Sequence, residues 1–209
     1  MNLRFGLAGR TNYDWQSLLQ SYRECTKPSS TVLEIGASSK THTEELSKYC
    51  QRLIGIELMP ERTPKSFGNV EYITGDWQCL SDFLPKESID VAVSSHVIEH
   101  VLDDRKALKE LFKVLKPGGV ALINTPNRGR LTRAVIEIFA GPRKFPYWEH
   151  QREYVESDIV HLLASSPFKK YEIVPLVFGL HGGPLYCYLA VPPKSFRKYS
   201  NFWEIRLFK

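Results

Sequence analysis

Thr31-Val32-Leu33-Glu34-Ile35-Gly36 is an apolar run that ends in an acid and a glycine, and its reading decides the fold. About twenty residues further on, Leu53-Ile54-Gly55-Ile56-Glu57-Leu58 also closes on a carboxylate. Between the two, Thr41 to Cys50 is predicted to be a helix, with Thr41 and Glu44 at capping-box spacing. Strand, glycine turn, helix, strand and terminal acid form the first half of a Rossmann-like nucleoside site. In such a site the helix N-terminus faces the ligand, and the second acid accepts hydrogen bonds from ribose hydroxyls. A dinucleotide fingerprint would place glycine at 36, 38 and 41, but this chain has Gly36, Ser38 and Thr41. The extra glycines let backbone close on a pyrophosphate, so their absence points to a nucleoside ligand that lacks one.

S-adenosylmethionine (SAM) meets that description: adenine, ribose and an amino-acid tail, with no phosphate. The pattern continues outward. Val70-Glu71-Tyr72-Ile73-Thr74-Gly75-Asp76-Trp77 reads as a third strand ending in an acid, and Ile89 to His96 is a fourth that leads into Val97-Ile98-Glu99-His100-Val101. Asp103 or Asp104 caps a helix running to about Lys116, with Ala107, Leu108, Leu111, Phe112 and Leu115 as its buried stripe. Pro117-Gly118-Gly119 stops it before a fifth strand, Val120 to Thr125. Strands alternating with helices imply parallel βαβ units.

With VLEIGAS, IGIEL, GDW, SSHVIEHV and LKPGGVALINTPN in that order, the chain resembles the class I SAM-dependent methyltransferases. The likeness is to the broad group that includes ubiquinone- and menaquinone-biosynthesis enzymes, and it covers roughly residues 30–192. It implies an α/β fold: a seven-stranded Rossmann-like sheet, mostly parallel, with a terminal antiparallel hairpin. Tyr171 to Phe178 and Leu185 to Val191 are the strands expected to form that hairpin, because the six residues between them are too few for a parallel crossover. Residues 127–168, longer than one helix requires, correspond to the segment that covers the substrate in this family.

The length of 209 residues suits a single domain with a substantial core. No apolar run approaches the roughly 20 residues that span a bilayer, and the N-terminal residues lack a signal-peptide core, so the expected location is cytoplasmic. Cys25, Cys50, Cys79 and Cys187 are scattered without a CxxC pair and read as reduced thiols. The net charge of +5 is uneven: residues 126–148 and 193–209 carry +4 each, leaving −3 on the rest. Such asymmetry suits an anionic acceptor or surface, or simply a solvated basic face. Residues 193–209 interleave Phe196, Tyr199, Phe202, Trp203 and Phe208 with five basic residues and read as a tail beyond the last strand. That tail is suited to peripheral membrane contact or to packing back on the domain.

On the methyltransferase reading, Glu34, Gly36, Ala37 and Ser38 turn against the methionine part of the cofactor, and Ser38 stands where the family usually has a second glycine. Glu57 takes the ribose hydroxyls, Leu58 and Met59 flank the adenine, and Asp76 with Trp77 receives its amino edge. Ser95 and His96 close the cofactor site. Positions 96, 99 and 100 are expected on one helical face. His96 or His100 is then a general base, a metal ligand with Glu99, or structural; the related Glu-x-x-Glu-His stretch of ubiquinone-pathway and small-RNA methyltransferases has Glu where this chain has His96. His150, in the cover segment, approaches the substrate from above or is a loop histidine. The acceptor is a small molecule, lipid head group or glycan precursor methylated on O or N. An RNA-modifying enzyme and a non-catalytic SAM-fold scaffold are the rival readings, and no RNA-binding module accompanies the basic segments.

Overall fold

The computed structural model describes residues 3–7, 13–140, 149–182, 185–189 and 191–209. Its centre is a seven-stranded sheet in the order β4-β3-β2-β5-β6-β10-β7. The strands are β2 (Thr31–Ile35), β3 (Arg52–Glu57), β4 (Val70–Thr74), β5 (Ile89–Ser95), β6 (Leu115–Pro126), β7 (Lys170–Leu176) and β10 (Phe202–Phe208). β2 to β6 pair in parallel, while β10 runs antiparallel to both β6 and β7. A separate antiparallel sheet joins β1 (Leu3–Leu7), β9 (Leu185–Leu189) and β8 (Phe178–Gly182).

The sheet is covered on both faces, which is why its strands are continuous apolar runs rather than alternating ones. Val32, Leu53, Val91 and Val93 pack with Trp15, Leu18, Leu19 and Tyr22 of α1 (Tyr13–Cys25) and Leu46 of α2 (Lys40–Ser47). Leu33, Ile35, Ile54, Ile56 and Ala92 face the other way. They meet the apolar stripes of α3 (Asp104–Val114) and α5 (Glu156–Ala164). Asp103 caps α3 by accepting from the Lys106 amide at 2.9 Å. The Thr41/Glu44 capping box is not formed: α2 starts one residue earlier, with Ser39 at its N-cap and no side-chain cap bond.

The antiparallel feature of the sheet is present, but its strands differ from those expected. The 171–176 run pairs with 202–208, not with 185–189, and β9 pairs instead with β8 and β1. Residues 193–209 are therefore not a tail beyond the final strand. After a 3₁₀ turn at Lys194–Tyr199 they return through the sheet as β10, between β6 and β7. Trp203, Ile205 and Leu207 are almost wholly buried there, so the aromatic-basic alternation records one strand's two sides. The expected core of 30–192 thus lacks an inner strand. Of the cover segment, α4 (Leu131–Ala140) and α5 are described; Arg143, Lys144, Tyr147 and Trp148 lie outside the described residues.

Candidate functional site

All the parallel strands end on one edge of the sheet, and the predicted site residues gather there because each lies at or just past a strand's carboxyl end. Gly36, at the end of β2, has a φ of 79°, and a Cβ at that position would sit 2.3 Å from Val97 Cγ2. No other residue meets both constraints. Its amide and that of Ala37 both donate to the Ile56 carbonyl, at 2.8 and 3.1 Å, which pins the turn to β3. Those amides are spent on backbone, so the exposed Ser38 hydroxyl and the start of α2 are what the turn presents outward.

Glu34 is buried beside this turn, with Oε2 lacking any hydrogen-bond partner. Burial pushes its carboxyl up to about 7, against the Thr43 hydroxyl, which favours the ionised form. It does not accept from turn amides. Opposite it in register is Gly55, where a Cβ would fall 2.8 Å from the Tyr72 ring and 2.9 Å from Ala37 Cβ. Glu57 closes β3 with its side chain largely buried, and Oε1 accepts from the Met59 amide at 3.3 Å. The next two residues, Leu58 and Met59, are 61% and 39% exposed, an apolar surface set beside a carboxylate.

Asp76 caps the following 3₁₀ turn, accepting from the Gln78 amide at 2.8 Å and from its side-chain amide at 3.1 Å. Trp77 does not offer a ring face: the indole is 3% exposed and belongs to the core beneath the sheet edge. Only its backbone remains for the role expected of it. Ser95 is half-buried at the end of β5, in register with Asn124.

His96, Glu99 and His100 do not share a helix. His96 sits at φ 56°, a left-handed position histidine tolerates better than most side chains, and residues 98–100 form a single 3₁₀ turn. This separates the two histidines. His96 Nε2 meets Asp14 Oδ2 at 2.6 Å, and Nδ1 lies 3.4 Å from Glu99 Oε1. Burial opposes a charge there, but the two carboxylates outweigh it and push His96 up to about 10. Asp14 is correspondingly held low: burial raises it, and the bond to His96 more than reverses that. A cationic imidazolium has no lone pair with which to abstract a proton, so His96 joins α1 to the site rather than serving as its base.

His100 meets a different set. The Glu99 carbonyl accepts from the Gln151 and Arg152 amides at 2.9 and 3.2 Å, and this brings the 149–152 stretch onto the turn. One ligand atom from each of Glu99, His100 and His150 lies within 4.8 Å of the other two. The rings of His100 and His150 meet edge to face at 4.7 Å. His100 Nδ1 faces the Glu149 carbonyl at 3.2 Å, which can only accept, so that nitrogen donates and the lone pair is on Nε2. His150 Nδ1 lies 3.1 Å from Glu153 Oε1. Burial raises Glu153, but Arg130, His150 and Arg133 together hold it below the usual carboxylate range, so it is a carboxylate that accepts from His150 Nδ1. Glu99 is wholly buried; Thr125 donates to Oε2 at 3.1 Å, while Oε1 makes no hydrogen bond. Two imidazoles and a carboxylate form a donor set that suits a divalent cation or an acidic hydroxyl, with Glu99 Oε1 also facing the His96 imidazolium.

Sequence reasoning missed Asp14 and Glu153. Asp14 lies 82 residues from His96, and although Glu153 is three residues from His150, its arginine partner Arg130 is 23 residues away. The charge asymmetry also changes meaning in the fold. Arg130 and Arg133 pair with Glu153, Arg197 with Glu156, Arg206 with Glu204 and Lys209 with Glu87, so much of the basic excess is neutralised internally.

Comparison with known proteins agrees with this architecture. Residues 33–123 match the family described as a methyltransferase domain. A probable S-adenosylmethionine-dependent methyltransferase of Mycolicibacterium smegmatis is 30% identical over 74% of this chain and 61% of its own length. A ubiquinone biosynthesis O-methyltransferase of Bradyrhizobium diazoefficiens is 29% identical over 46% of this chain and 40% of its own. The chain thus spans less than two thirds of these relatives. Among solved structures, the YcgJ protein of Bacillus subtilis superposes with a TM-score of 0.69 at 18% identity, covering 93% of this chain and 98% of that one. The N-methyltransferase NodS of Bradyrhizobium japonicum does so at 0.63 and 19%, covering 96% and 98%. By motif order, by sequence match and by strand order, this chain is similar to the SAM-dependent methyltransferases, and residues 33–123 carry the match to the methyltransferase domain.

Proposed function

We propose that the protein transfers a methyl group from SAM to a hydroxyl oxygen of a small acceptor. The observation that carries the choice of oxygen is the Glu99–His100–His150 cluster: two imidazoles with Nδ1 engaged beside a buried carboxylate. Related proteins are described as both O- and N-methyltransferases, so the family alone leaves that choice open.

Methyl transfer is an in-line displacement at a sulfonium carbon, and the protein's main task is to hold two molecules in register. Glu57 accepts from the ribose hydroxyls, Leu58 and Met59 flank the adenine, Asp76 receives its amino edge, and Glu34 with the Gly36–Ser38 turn holds the methionine end. His100 takes the acceptor's proton as the oxygen attacks, and His150, held by Glu153, packs against it. A divalent cation, when bound, would be held by Glu99, His100 and His150 and would acidify the hydroxyl in place of the His100 base, whose lone pair it would occupy.

The test has two arms. Glu57→Ala should weaken SAM binding at least tenfold by calorimetry, about 1.4 kcal/mol. His100→Gln should cut turnover while leaving SAM binding intact, and Glu99→Gln should abolish any calorimetric heat of divalent-ion binding. Unchanged SAM affinity in folded Glu57→Ala would remove the cofactor assignment. Full turnover of His100→Gln in metal-free buffer would remove the cluster from the chemistry.

A further inference from the structure

Helix α4 is inside out for a helix surrounded by water. Its arginine faces inward: Arg133 is 6% exposed, bonded to Glu137 at 2.8 Å and to the buried Glu153 at 2.8 Å. Its apolar residues Val135, Ile138 and Phe139 face outward, the last two 76% and 86% exposed. Positions i, i+3 and i+4 lie on one face, so these three side chains form a stripe rather than scattered exceptions. The stripe has neighbours of the same character. α4 packs on β8, whose Leu180 is exposed, and β8 packs on the Lys194–Tyr199 turn through the Phe178 and Phe196 rings, 5.2 Å apart. Phe196 is itself exposed. Large apolar groups clustered on one surface mark an interaction site.

The cations around this surface identify its partner. Asn127, just before α4, donates to the Lys198 carbonyl at 3.0 Å, which sets Arg128 beside the basic turn. Arg128, Lys194 and Lys198 are exposed, and none has an acidic partner among the described residues, whereas most other cations near the site are paired. Protruding aliphatic and aromatic side chains flanked by unneutralised cations match an anionic lipid bilayer surface: the apolar groups enter the interface and the cations meet lipid phosphates. A face formed by helix, strand and turn also differs from a single amphipathic anchor helix, because the sheet behind fixes its orientation.

We propose that the α4–β8–3₁₀ face docks the protein on anionic membrane surfaces. This rests on surface chemistry alone and stands or falls independently of methyl transfer. The 193–209 stretch takes part through Phe196, Lys194 and Lys198, whereas Phe202, Trp203 and Phe208 belong to β10.

The full chain should co-sediment with vesicles of phosphatidylcholine and phosphatidylglycerol, and much less with phosphatidylcholine alone. Added salt should weaken the association. Ile138→Glu together with Phe139→Glu should reduce partitioning more than tenfold. Lys194→Gln and Lys198→Gln should each reduce it about fivefold. Val160→Glu, at an exposed apolar position on α5, should leave it unchanged. Each variant should keep the full-length circular dichroism spectrum, because these side chains are exposed. No sedimentation with anionic vesicles overturns the proposal, as does retained binding by the Ile138/Phe139 variant. A concentration-dependent dimer abolished by that same variant would also overturn it and assign the face to a second copy.

Discussion

Glu34 carries the largest tension among the residues of the cofactor edge: a carboxylate within a parallel strand, buried, with one oxygen unsatisfied. Its folded value, raised from 4.5 to about 7, means the folded state binds an extra proton between those values. Stability from this group is fully present below about 4.5 and is lost as pH rises through 7. The unliganded protein should therefore lose roughly 2–3 kcal/mol between pH 4.5 and 8 through this residue. Glu34→Gln should flatten that part of the profile and raise Tm at pH 8, while weakening SAM binding. A calorimetric Tm profile of the variant that still falls across this range would show that another group is responsible. Such a conflict between fold stability and a polar group is expected where a ligand completes the bonding.

Among the secondary-structure elements, α1 illustrates how a cap on the site is attached. Its inner stripe, Trp15, Leu18, Leu19 and Tyr22, follows ordinary helical spacing and packs on β5 and β6. Its first turn does something the stripe does not foretell. Asp14 reaches the imidazolium of His96 at 2.6 Å, and the Asp14 carbonyl accepts from Asn124 at 3.1 Å. Because His96 is raised from 6.5 to about 10, the stabilisation is complete below pH 6.5 and disappears as pH rises through 10. The Asp14–His96 pair should show a coupling energy of about 1–3 kcal/mol at pH 7 in a double-mutant cycle with Asp14→Asn and His96→Gln. Near pH 10.5 the coupling should shrink towards zero. A coupling that persists there would mean that the histidine is held by packing against Phe202, 5.4 Å away, rather than by charge.

For the whole molecule, closure of the sheet depends on residues 202–208. β10 fills the gap between β6 and β7, and Trp203 beneath it is fully buried. Trp203→Ala should cost about 3–5 kcal/mol, the range for emptying a large aromatic from a core. Truncation after Pro192 should leave no cooperative unfolding transition by circular dichroism, because β6 and β7 would expose unpaired edges and the core beneath them. A truncated chain that melts cooperatively at the full-length temperature would show β10 to be dispensable.

The sequence by itself determined the parallel half of this molecule. The runs at 31–36, 53–58, 70–77 and 89–96 are short-range signals, the first three with an acid or glycine at or near the end, and parallel strands buried on both faces read as such apolar runs. Gly36, Glu57 and Asp76 were legible for the same reason, since a residue directly after a strand inherits the strand's position. Only the tertiary structure decided the rest. The β10 insertion is a pairing between residues some 80 positions apart, and the Asp14–His96 and His150–Glu153–Arg130 contacts likewise bring separate segments together. The alternation of aromatic and basic residues at 193–209 was visible, but a strand and an exposed tail can share that composition, and only burial of Trp203 separates them. The inverted face of α4 follows the same rule. Its spacing shows one apolar stripe, but which side meets solvent is fixed by where Glu153 lies, because a buried carboxylate recruits Arg133 inward and turns Ile138 and Phe139 out.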